Sequence, residues 1–141
     1  MAMNPYEPPR AVAVENARPV SKTPLLLAAL GAWGAAAYWA LLTALLAFGA
    51  AMGSVGATNL ILPVILIALY ATRGVQMLKG EARAIRSLLW LHGVGGVVAV
   101  MQVATSQGFF VALQAVKVVV HVFGIVTVLM ARRHVQNNWL E

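Results

Sequence analysis

Four long runs of apolar residues, joined by short polar connections, organise this chain. They cover residues 24–52, 59–78, 87–104 and 109–130. An α-helix needs roughly 20 apolar residues to cross a hydrocarbon core of about 30 Å. The runs meet or approach that length, and the first exceeds it, which predicts tilt or projection beyond the lipid. The pattern predicts an all-α polytopic membrane protein, a four-transmembrane-helix bundle.

Polar punctuation sets the expected ends. Residues 1–23 hold Pro5, Pro8, Pro9 and Pro19 and read as a proline-rich tail in which regular helix is disfavoured. Thr23-Pro24 offers a helix start, with the threonine as N-cap and the proline at the first helical position. Pro63 falls in the first turn of the second span, where proline is tolerated. Gly80 breaks the chain after that span, and residues 81–86 can form a charged helical turn leading into the third. Thr105-Ser106-Gln107-Gly108 is a tight polar turn before the fourth span, and residues 132–141 form a short C-terminal tail.

Charge adds an orientation. Arg10, Arg18 and Lys22 precede the first span, Arg73, Lys79, Arg83 and Arg86 lie around the second connection, and Arg132 and Arg133 follow the fourth. The connections 53–59 and 105–108 carry no charged residue. The positive-inside rule then predicts both termini in the cytoplasm, N-in and C-in. At 61% hydrophobic and 10% charged residues, the 141-residue chain cannot supply a soluble surface. Its net charge of +6 flanks apolar spans and forms no separate basic domain. That favours the lipid bilayer and its anionic headgroups as partner and argues against nucleic acid. Zero cysteines exclude disulfides and thiolate metal sites. The polar, proline-rich opening is expected to carry no cleavable signal, leaving the first span as an uncleaved anchor.

The first span carries a helix-packing face. Ala28, Ala32, Ala36 and Ala40 recur at every fourth position with Gly31 and Ala35 on a neighbouring row, a pattern that lets a second helix approach closely. Trp33, Tyr38 and Trp39 interrupt it.

A few polar residues fall inside the last hairpin. Lys117 stands ten residues beyond Gln107, about 15 Å along a helix and near the bilayer midplane. A lysine at that depth is a functional candidate by default. Gln114, Lys117 and His121 are spaced three and four apart and share one helix face. A turn centred at Ser106-Gln107 puts His92 level with His121 and Gly96 level with Lys117, so a small-residue groove at Gly96 and Ala99 would receive the lysine stem. With Gln102 at its edge, the expected polar seam is His92, Gln102, Gln114, Lys117 and His121.

No Asp or Glu lies in any span; the acids are Glu7, Glu15, Glu81 and Glu141. Lys117 therefore calls for an anionic ligand, a neutral amine or a partner subunit. Three chemistries remain open: structural hydrogen bonding within the hairpin, transport or conduction through the Lys/His seam, and a bis-histidine b-type haem on His92 and His121. No carboxylate pair or nucleophile–base motif points to catalysis, and no other metal or cofactor is expected.

Asn4-Pro5-Tyr6-Glu7-Pro8-Pro9 resembles the opening of many small bacterial inner-membrane proteins, which begin with an Asn-Pro-Tyr-x-Pro-Pro-like stretch and continue into several hydrophobic helices. The resemblance covers six residues and the general layout. It implies a bacterial cytoplasmic membrane and no particular activity. The expectation is a non-enzymatic accessory or assembly subunit, or a small homo-oligomer, with a membrane-protein partner on the small-residue face. The alternatives are a small transporter or channel built on the seam, and the haem protein.

Overall fold

A computed structural model describes residues 21–138 of the chain. The tail residues 1–20, with the Asn-Pro-Tyr stretch, Arg10 and Arg18, lie outside the described residues, as do residues 139–141. The described residues hold four helices and no strand: α1 (Thr23–Ala51), α2 (Ile61–Leu78), α3 (Ala82–Thr105) and α4 (Phe109–Asn138), with a short 3-10 turn at Ala57–Leu60 ahead of α2. Each of the four is long and apolar enough to cross a membrane.

The helix ends differ from expectation in three places. Thr23 is the first helical residue, with Lys22 at the cap position, and the Thr23 amide donates to Ser21 Oγ at 3.3 Å. The charged turn at residues 81–86 is the start of α3 itself, which begins at Ala82. α4 continues past residue 130 to Asn138, so most of the expected C-terminal tail is helix. Water can satisfy the polar side chains of Arg132, Arg133 and Gln136 without interrupting the backbone ladder, and these residue types hold helix well.

α2 ends at a glycine whose conformation the turn demands. Gly80 has φ +71° and donates to Met77 O at 2.9 Å, while Glu81 N donates to Gln76 O at 3.3 Å. This paired 5→2 and 6→1 closure needs a left-handed residue, which glycine adopts without strain.

The helices pack in the order α2–α1–α4–α3. Extensive contact joins α1 to α2, α3 to α4, and α1 to α4, whereas α2 and α3 barely meet. The face of α1 bearing Ala28, Ala29, Gly31, Ala32, Ala35 and Ala36 is buried within the bundle. At its centre the backbones of α1 and α4 nearly touch: a β-carbon placed on Gly31 would stand 3.2 Å from Gly124 Cα and 3.0 Å from Thr127 Oγ1. Thr127 turns its hydroxyl back to Phe123 O at 2.9 Å, so this contact buries no free polar hydrogen. On the other flank the Trp33 indole lies across Gly74 and donates to Ala71 O at 3.4 Å, pinning α1 to α2.

Candidate functional site: a polar floor beneath a lateral cleft

The short turn between α3 and α4 fixes their register, and that register brings two imidazoles together in the buried interior. His92 Nδ1 and His121 Nδ1 are 3.2 Å apart, with ring centroids 5.4 Å apart and planes nearly perpendicular. Both residues are fully buried. One ring must donate and the other accept, so one histidine carries its proton on Nδ1 and the other on Nε2.

Each ring rests on a glycine of the opposite helix. The His121 ring covers Gly95, where an added β-carbon would stand 2.6 Å from Nε2, and the His92 ring covers Gly124 in the same close manner. Each glycine lies three residues after the histidine of its own helix, so His92-x-x-Gly95 and His121-x-x-Gly124 interlock around an approximate local twofold. Any side chain at either glycine would displace a ring. Tyr70 of α2 closes the pair from above, its ring 5.0 Å from His92 and 6.2 Å from His121.

Lys117 reaches a different set of partners from the Gly96 groove. Its Nζ donates to Gln102 Oε1 at 2.9 Å and lies 4.7 Å from the centre of the Trp39 ring. Helical side chains lean toward their own N-terminus. A long lysine on α4 therefore extends toward the α3–α4 turn, where Gln102 lies, and away from Gly96. Gly96 instead backs onto His121, with an added β-carbon 3.5 Å from His121 Cβ. Gln114 is half-buried, and among the described residues its Oε1 has no hydrogen-bond partner. The expected seam thus resolves into two pairs, His92–His121 and Lys117–Gln102, with Gln114 joined to neither.

These groups lie beneath a cleft. Where α2 and α3 fail to meet, a space of about 390 Å³ remains, walled by Leu62 and Leu66 on one side and Val94 and Val98 on the other. Lys117, His121, Trp39 and Tyr70 also line it. The wall is apolar and the charge is confined to the ammonium at the floor. Such a space suits an amphiphile whose polar end is anionic, since an ammonium in hydrocarbon is stabilised by a counter-charge that no residue of the spans supplies. Tyr70, Trp39, Gly95 and Gly124 join the site without being among the residues that the sequence predicts for it. The repeated His-x-x-Gly was the available signal for the glycines; nothing in the sequence marks the two aromatics, which come from the other hairpin.

The haem alternative does not fit these residues. The Nδ1 atoms face one another at hydrogen-bonding distance, which leaves no room for a porphyrin between the rings. Both Nε2 atoms are buried over glycine backbone, so neither offers iron an approach. Among the described residues no group of three His, Cys, Asp or Glu side chains gathers in a metal-binding arrangement. Comparison with known proteins finds no matching family model, no matching curated protein and no matching solved structure.

Proposed function

We propose that this chain is a non-enzymatic multi-pass protein of a bacterial cytoplasmic membrane that binds a lipophilic anion in the cleft between α2 and α3. The observation that carries the reading is Lys117, buried at the floor of an apolar cleft with a neutral amide and an indole as its neighbours. An ammonium so placed has donors to spare, and a carboxylate or phosphate on an apolar tail satisfies both the charge and the wall. This is the transport-class alternative of the sequence reading, narrowed to binding.

The two sequence arguments for a partner subunit have weakened. The small-residue face of α1 is packed within the bundle, and a bound anion would supply the counter-charge of Lys117 without a second chain. A homo-oligomer or accessory role keeps one supporting observation: Gly93, on the exposed face of α3 beside Trp90 and Val97, has open space above it and forms a notch that a second helix could enter. The N-in, C-in orientation is supported by Lys22, Arg73, Lys79, Arg83, Arg86, Arg132 and Arg133, which up-and-down topology gathers toward one end. The Asn-Pro-Tyr opening supports the bacterial assignment.

The test is direct. The full chain in nanodiscs of neutral lipid is titrated with a fluorescent fatty acid, read by energy transfer from tryptophan. Saturable binding should be lost in Lys117→Met, whose stability should be equal or higher because a buried charge has been removed. Unchanged saturable binding in a folded Lys117→Met protein would sink the proposal.

A further inference from the structure

A second groove lies at the basic end of the bundle, where the start of α3 meets the end of α4. The first turns of α3 and the last turns of α4 face one another there, enclosing about 460 Å³. Arg86 comes from one wall and Arg132 from the other, with Ile85, Leu89 and Trp90 along the side and Gln136 at the rim. Among the described residues no Asp or Glu lines it.

Three independent features converge on one kind of ligand. The guanidinium groups offer planar, paired donors whose geometry suits phosphate oxygens better than a point charge would. The start of α3 also borders the groove at Ala82, and with no acidic residue in its first turn the positive end of its helix dipole is opposed there by the Glu81 carboxylate alone. Trp90 lies one turn deeper than Arg86 and is 73% exposed, which suits an indole at the headgroup–acyl boundary. A soluble anion would use the arginines alone. The apolar wall running from Leu89 to Trp90 toward the lipid asks for a ligand with a chain attached.

We propose that this groove binds the headgroup phosphate of an anionic phospholipid between Arg86 and Arg132, with an acyl chain along Leu89 and Trp90. Basic pockets between transmembrane helices are a recurring solution for such headgroups. The site is separate from the Lys117 cleft and holds whether or not that cleft binds an anion. Trp90 borders both spaces, so its substitution would not tell them apart, and the arginines are the residues to change.

The experiment is native mass spectrometry of the full chain in mild detergent with added dioleoyl phosphatidylglycerol or dioleoyl phosphatidylcholine. Phosphatidylglycerol adducts should exceed phosphatidylcholine adducts by about thirtyfold, given about 1 kcal/mol for each of the two arginines near the surface. The excess should vanish in Arg86→Gln/Arg132→Gln and persist in Arg83→Gln/Arg133→Gln, which carries the same net charge away from the groove lining. Arg86→Lys/Arg132→Lys should keep part of the excess, and its folded state guards against misreading a collapse of the glutamine variant. Equal adducts of the two lipids, or an excess that survives in the folded Arg86→Gln/Arg132→Gln protein, would overturn the assignment. Displacement of the lipid by millimolar inorganic phosphate would also overturn it, since the acyl wall would then contribute nothing.

Discussion

The α1–α4 contact and the α2–α3 gap are made from opposite materials. Between α1 and α4 Gly31 meets Gly124, on a face of α1 that also buries Ala28, Ala32 and Ala35, and the two backbones come within van der Waals reach. Between α2 and α3 stand Leu62, Leu66, Val94 and Val98, and a cleft remains. In lipid there is no hydrophobic gain from bringing apolar helices together, so association rests on how closely the backbones can pack. Small residues close an interface; branched ones satisfied by lipid tails can leave it open. The buried polar groups of the chain lie along the border between these two regimes, with the closed side holding them in place and the open side giving access.

The largest effect should come from adding bulk to the closed side. Gly124→Leu would drive a side chain into the His92 ring and toward Gly31, and overpacking of this kind costs about 1–3 kcal/mol, occasionally more. Thermal unfolding of the detergent-solubilised chain, followed by helicity, should show a clearly lowered midpoint. An unchanged midpoint would mean that α3, α4 and α1 do not meet at this glycine.

His92→Ala comes next. It leaves the His121 Nδ1 without its partner and opens a void over Gly124, for an expected loss of about 1–3 kcal/mol. The cycle through His121→Ala and the double variant isolates the pair itself, where interhelical hydrogen bonds in membranes average about 0.6 kcal/mol. Strict additivity of the two single changes would deny the rings any mutual bond.

The smallest change should follow Gly93→Ala on the open, lipid-facing side. Among the described residues nothing beyond the backbone of its own turn lies within 4 Å of the added methyl, so the substitution should be neutral or stabilise by up to about 1 kcal/mol. A shift in native mass on this change would sharpen the picture differently, by showing that a second chain occupies the notch.

The parts of this fold that sequence exposes are those set by length and by short connections. Apolar runs of membrane-spanning length define the four helices, and a four-residue turn carries the register of α3 against α4 far enough to pair His92 with His121. What stays hidden is rotation and the meeting of distant segments. A helix apolar on all faces gives no periodic sign of which side faces its neighbours, so the arrival of Tyr70 and Trp39 over the polar floor has no sequence signature. The direction of Lys117 was misjudged for a different reason: equal depth of Cα atoms ignores the lean of helical side chains toward the N-terminus, and a side chain this long turns that lean into a full change of partner.

The α1–α4 contact also has a history built into it. α1 is paired with α4, and residues 52–108 must be synthesised in between, roughly 3–10 s at ordinary elongation rates. During that interval α1 sits in the bilayer as half of a hairpin, with the glycine and alanine face meant for α4 still exposed. A chaperone or a neighbouring protein that covers small-residue surfaces would find its substrate in that interval, and the finished bundle would offer it none.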